Sequence, residues 1–187
     1  MNKLNKIMLC SAALMLCSTA SASNTIDFKG EVAPETCTVK IDGKDGGLIV
    51  LPTVSLKAFQ VGTPPAISVG KTVERKEFNV QLSDCPTQTS ARTLKTRFVP
   101  NGGVSSRGHL GNLAPANKAE GVEIQLVAPN GTPINFAPTG EYVGNDLTIA
   151  ANKTTASATY GVEYVATATS VTTGSISSSL QYAIKYN

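Results

Sequence analysis

Gly174-Ser175-Ile176-Ser177-Ser178-Ser179-Leu180-Gln181-Tyr182-Ala183-Ile184-Lys185-Tyr186-Asn187 closes the chain and decides how the rest of it is read. From Ile176 onward every second residue except Ser178 is large and apolar, while those between are polar or small. Strand side chains alternate between faces. The pattern therefore predicts one ribbon from Gly174 to Asn187, roughly 45 Å long at ~3.3 Å per residue, with one face toward a core and the other toward water. A terminal strand this apolar carries an edge that something must pair with or cover.

The opposite end of the chain holds a second clean alternation. Ile26, Phe28, Gly30 and Val32 share one face, and Thr25, Asp27, Lys29, Glu31 and Ala33 share the other. Gly30 interrupts the apolar face, as glycines do where a strand bulges or another group approaches closely. Ahead of this stretch, Lys3 and Lys6 precede an apolar run from Ile7 to Cys17, and Ala20-Ser21-Ala22 has the small-x-small pattern of a secretory cleavage site. Residues 1–22 are thus expected to be a cleaved signal peptide. Cys17 follows Leu16, where a lipidation signal needs a small residue. No later stretch has the ~20 apolar residues of a membrane-spanning helix, so an exported, soluble product is expected.

The remaining length suits one domain. The signal carries two lysines and no acid, so the formal charge of +3 falls close to neutrality once it is removed, and nothing suggests nucleic acid. Cys10 and Cys17 leave with the signal. Of the two cysteines left, Cys37 and Cys85, a zinc site would need more ligands and a nucleophile would need a base. In an oxidising compartment the favoured reading is a disulfide closing a loop of about 48 residues, on the order of 4 kcal/mol by chain entropy.

Between the two ends the chain alternates strand patterns with turn residues. Cys37 to Ile41 stops at Asp42-Gly43-Lys44-Asp45-Gly46-Gly47, and Leu48 to Leu51 is a continuous apolar run weakened by Pro52. Strands are expected at Lys76 to Leu82, Leu94 to Phe98, Val122 to Leu126, Leu147 to Ile149 and Tyr160 to Ala166. The Asn130-Gly131 turn predicts a hairpin returning through Ile134 and Phe136. Lys71, Glu74, Arg75, Lys76 and Glu77 read as a solvated strand edge. His109, the sole histidine, lies in the loop from Pro100 to Lys118 and reads as solvated, with no acid adjacent in sequence. No amphipathic helix of useful length follows the signal. These features predict an all-β sandwich. No catalytic set, phosphate-binding glycine loop or metal-ligand cluster stands out, so neither catalytic nor metal residues nor a cofactor is assigned, and an enzyme is not expected.

Taken in order, the arm from Thr25 to Val32, the early Cys37, Val80-Gln81-Leu82-Ser83-Asp84-Cys85, Gly121 to Leu126 and a last strand with Gly174 and the penultimate Tyr186 form a pattern. The chain resembles a subunit of the chaperone-usher fimbriae, of the type 1-like pilins. The resemblance implies an incomplete immunoglobulin-like β-sandwich of Greek-key type, lacking its last strand and completed by a donor strand from a neighbouring subunit. It implies a donor-strand arm at 23–33 with Ile26, Phe28, Gly30 and Val32 inward, and a pilin domain at 34–187. The acceptor groove and chaperone-binding strand would comprise Gly174, Ile176, Leu180, Tyr182, Ile184 and Tyr186. The implied partners are identical or related fimbrial subunits in a head-to-tail polymer, a periplasmic chaperone, an outer-membrane usher and a host-surface ligand. The implied location is the cell surface, reached through the periplasm. Two alternatives stand beside the main reading: a minor adaptor or terminator subunit, and a secreted binding module whose arm fills its own groove.

Overall fold

The computed structural model describes residues 36–186. The proposed signal, the arm with Ile26, Phe28, Gly30 and Val32, and Asn187 lie outside the described residues. Nine strands, numbered in chain order, account for nearly all the regular structure: β1 Thr38–Ile41, β2 Gln60–Val61, β3 Ala66–Ile67, β4 Thr72–Ser83, β5 Arg92–Pro100, β6 Val122–Val127, β7 Tyr142–Ile149, β8 Ala156–Ala166 and β9 Leu180–Lys185. Among the described residues a 3₁₀ turn, Leu56–Phe59, drops Phe59 into the interior. The strands form two sheets, ordered β1-β4-β8-β6 and β7-β5-β9, with β2 and β3 as a small separate hairpin. Every strand pair is antiparallel.

The period-two patterns place the core. Phe78, Val80 and Leu82 of β4, Leu94 and Phe98 of β5, Ile124 and Leu126 of β6, Leu147 and Ile149 of β7 and Tyr160 of β8 all face inward and are buried. Their burial at ~25 cal/mol per Å² of apolar area is the main force holding the two sheets together. Phe98 meets Tyr160 edge to face at 4.9 Å between ring centroids, and Phe78 stacks on Tyr160 at 5.7 Å. β7 carries an irregularity where Gly144 and Leu147 span Thr96 and Leu94 of β5. It turns Asp146 toward the phenols of Tyr142 and Tyr160, which both donate to its Oδ2. Burial, reinforced by that carboxylate, pushes both phenols above their ordinary pKa.

Cys37 and Cys85 are joined by a disulfide. It fastens the residue just before β1 to the second residue after β4, so the two strands' ladder from Thr38 and Ser83 to Ile41 and Val80 is locked at one end. β1 reaches only the second half of β4. Residues 74–77 therefore do form an exposed edge, as their charge pattern predicts, but Arg75 is more than solvated: its Nε donates to Glu163 Oε2 at 2.9 Å, and that carboxylate is buried.

His109 corrects the sequence reading. It is buried, its Nδ1 donates to Glu123 Oε2 at 3.0 Å, and its Nε2 accepts from Gln125 at 3.1 Å. The two partners lie fourteen and sixteen residues away on β6, so no local sequence window contains them.

The terminal ribbon also differs from its expected form. Only Leu180–Lys185 is a regular strand, because its ladder partner β5 ends at Pro100, which faces Leu180. Upstream, residues 174–179 are held instead by the loop that contains residues 111–119.

A groove beside the C-terminal strand

That loop acts through one side chain above all. Asn112 Nδ2 donates to the carbonyls of Ser175 and Ala119, while its Oδ1 accepts from the amides of Ser177 and Ala114. Both ends of the amide group are thus engaged, and two of its four bonds hold the terminal segment. Backbone bonds complete the attachment: Ser175 N to Asn117 O, Ala119 N to Ser175 O, Leu113 N to Ser177 O, and Asn101 N to Ser179 O. Gly174 is needed at the start of this segment. A Cβ there would lie 2.4 Å from both Ala119 N and Asn117 O, which are backbone atoms with little room to shift.

All of these backbone bonds use odd-numbered residues of the terminal segment. In a strand, successive amides and carbonyls point to opposite edges, so the even-numbered residues aim theirs the other way. Among the described residues, β5 is the only ladder partner of β9. The backbone groups of Ile176, Ser178, Leu180, Tyr182 and Ile184 therefore line an edge that no strand among the described residues pairs with, over roughly 26 Å. The side chains of Ile176, Leu180, Tyr182, Ile184 and Tyr186 are only partly buried, packed against the core from its margin. Tyr186 has a further contact: its hydroxyl accepts from the backbone amide of Cys37 at 2.8 Å, tying the end of the ribbon to the disulfide.

Beside this edge lies a groove of about 580 Å³. One wall is the ribbon from Ile176 to Tyr182. The other is Gly46 to Leu51, and the floor includes Phe78, Phe98, Ile124, Leu126 and Tyr164. Residues 47–51 belong to no strand. Gly47 lets this wall leave β1 closely, since a Cβ there would sit 2.8 Å from the Ile41 side chain. The floor is made of core residues from both sheets, so the groove is an opening into the sandwich itself. Of the residues assigned to the site from sequence, the structure brings Ile176, Leu180 and Tyr182 to the groove lining. Ile184 and Tyr186 continue the same face beyond it, and Gly174 serves to seat the ribbon. Sequence reading missed the facing wall and Asn112, although the apolar run Leu48 to Leu51 was a signal for the former.

Among the described residues, no group of three or more His, Cys, Asp or Glu side chains could hold a metal ion. A family model described as fimbrial protein matches residues 26–187, which takes in both walls, the floor and the ribbon. The chain belongs to the fimbrial protein family. The major fimbrial subunit SMF-1 of Stenotrophomonas maltophilia (strain K279a) is 34% identical to this subunit over 180 residues, covering 94% of this chain and 99% of that one. The F17 fimbrial protein of Escherichia coli is 29% identical over 189 residues, covering 100% and 99%. The crystal structure of the P pilus rod subunit PapA shares the fold with a TM-score of 0.57 at 14% identity, over 81% of this chain and 99% of that one. This fimbrial subunit is a structural component of a cell-surface fimbrium, with the incomplete immunoglobulin-like sandwich of pilins, and its partners are other fimbrial subunits.

Proposed function

We propose that the subunit polymerises by donor strand exchange, each copy lending residues 23–33 to the groove of the next. The observation that carries the reading is an edge of the terminal ribbon that no strand among the described residues pairs with, above an apolar groove open to the core. An added strand satisfies main-chain groups along such an edge, while alternate side chains fill what lies beneath. The arm has the required period, with Ile26, Phe28 and Val32 as the large inward residues and Gly30 between them. Burying three such side chains contributes roughly 5 to 9 kcal/mol before ordering costs. Donor and groove belong to different parts of one subunit, so the contact is head-to-tail and propagates as a filament.

On this reading residues 1–22 direct export and are removed, and 34–187 form the pilin domain. An edge this apolar needs cover before the next subunit arrives. A periplasmic chaperone would supply a temporary strand against Ile176 to Tyr186, and an outer-membrane usher would be the place of exchange. The role is structural and not enzymatic; adhesion to a host ligand would be a property of the finished fibre.

The test compares the exported chain with and without residues 23–33 on denaturing gels run before and after heating. Heat-sensitive ladders are expected only from the intact chain. An intact chain that stays monomeric beside its assembly partners, while the truncated chain unfolds, would assign the arm to its own groove instead. Phe28→Asp places a charge in an apolar slot and is expected to abolish donation without affecting groove filling by others.

A further inference from the structure

We infer that Lys76 and the bulge at Glu74 and Arg75 bar incoming strands from β4 and so confine strand addition to β9, an inference that rests on the strand-exchange reading above. A sheet accepts a further strand wherever an edge is long, flat and regular. Beside β5, β9 runs in unbroken register from Lys185 opposite Lys95 to Leu180 opposite Pro100. The other edges are less inviting. β1 has four residues, β2 and β3 have two each, and β6 is covered by Leu110 and Ile134. β7 is interrupted at residues 145–146, where Asp146 turns to the phenols of Tyr142 and Tyr160. Among the described residues, that leaves the first half of β4, which β1 does not reach.

That half is spoiled as a template. Where β1 ends, Asp42 occupies both backbone groups of Asn79: its amide donates to the Asn79 carbonyl at 3.0 Å, and its Oδ1 accepts from the Asn79 amide at 2.8 Å. Alternate residues face the same edge, so Glu77 is the next to offer its amide there. Just beyond it the ladder with β8 shifts register. Val73 faces Tyr164 and Lys76 faces Val162, so Glu74 and Arg75 together span Glu163. Glu74 has a φ of +54°, a left-handed conformation that its Cβ disfavours. A bulge bends and twists its strand, and a straight partner loses register across it. Lys76 adds a second barrier. Residues directly opposite across a ladder share a face and Val162 is buried, so Lys76 stands on the inner face, in line with Phe78, Val80 and Leu82, yet exposed at the open edge. An incoming strand would set an apolar side chain against that ammonium and strip its water. The ion pair of Arg75 does not require the bulge: without Glu74, Arg75 would fall directly opposite Glu163, the carboxylate it already holds.

The full chain is exported with its own assembly partners, unsubstituted or with Glu74 deleted and Lys76→Val introduced together, and the fibres are compared by electron microscopy and amide exchange. The unsubstituted chain is expected to give separate fibres and rapid exchange at Glu77. The double variant is expected to join sideways into bundles, with exchange at Glu77 slowed about tenfold, the scale of one backbone hydrogen bond. Protection of the Val80 amide, within the β4 and β8 ladder, reports that the variant is folded. Lys76→Val alone leaves the backbone untouched and is expected to give an intermediate slowing, which keeps the test open if the deletion unfolds the subunit. Glu74→Gly relieves the left-handed backbone but keeps the bulge, and its fibres are expected to stay separate. Unchanged exchange at Glu77 in the folded variants would overturn the inference, whether or not bundles form, and so would bundling by Glu74→Gly. Absence of fibres from the unsubstituted chain would count against strand exchange itself, while exchange at Glu77 would still report whether the β4 edge is barred.

Discussion

β6 and β9 are each the last strand of a sheet, and the chain treats their outer edges in opposite ways. Beyond β6, Leu110 exchanges backbone bonds with Ile124 in both directions, Ile134 donates to the carbonyl of Leu126, and the Asn130-Gly131 turn brings Thr132 back to Ala128. Beyond β9 the edge meets a groove. The two strands have similar apolar character, so hydrophobicity does not explain the difference. One loop decides it. Leu110 covers β6, and two residues later Asn112 turns to grip one side of the terminal ribbon, leaving the other side with no strand partner among the described residues. A chain able to protect one edge with its own backbone leaves the other open, which is the arrangement a filament subunit needs.

Loosening the segment that covers β6 should have the largest effect. Leu110→Ala keeps the backbone bonds to Ile124 but deletes a buried side chain that also lines the groove, and is expected to cost about 2 to 5 kcal/mol, read as a lower urea midpoint by circular dichroism. Asn112→Ala should separate the two edges. It leaves several backbone groups without partners, costs roughly 1 to 3 kcal/mol, and raises amide exchange at Ser177 while Ile134 stays protected. Equal exposure of both would show that the edges open together.

Tyr186→Phe removes the bond to the Cys37 amide at the far end of the ribbon. Its expected cost is ~1 kcal/mol by urea unfolding, with faster exchange of the Cys37 amide. The smallest effect belongs to the wall that faces β9 across the groove. Leu48 is 87% exposed and Val50 70%, while Ile49 and Leu51, which alternate with them, pack against the core. Leu48→Ser is expected to change the stability of the isolated subunit by less than about 0.5 kcal/mol. A larger loss would mean that this wall is held against the subunit more firmly than its exposure indicates.

Much of the architecture is legible in the sequence because strands announce themselves locally. The alternations at Phe78 to Leu82, Leu94 to Phe98, Val122 to Leu126 and Tyr160 to Ala166 all fall in strands with the expected faces buried. The chain reversal after β6 follows from Asn130-Gly131, although the returning segment makes only an isolated bridge between Val127 and Pro133 and Phe136 bonds to Gly108, so the expected hairpin strand does not form; the Cys37–Cys85 bridge follows from counting the thiols left after the signal. The groove is only half legible for the same reason. The ribbon repeats every two residues and can be seen, whereas the facing wall is four consecutive apolar residues with no period and no partner. His109 is the clearest failure of local reading: burial and an acid that approaches only through the fold convert an apparently solvated side chain into part of a buried network.

By itself, then, the sequence determined which residues alternate, which face of each strand is apolar, and that the last ribbon would present a greasy face to something. These are properties of spacing, which a strand's two-residue period turns into geometry without help from distant residues. Tertiary structure alone decided where the ribbon's regular ladder stops, which of its edges is used, and what stands across the gap. Those outcomes depend on β5 ending at Pro100 and on a loop lending Asn112, contacts between segments tens of residues apart that no local pattern encodes.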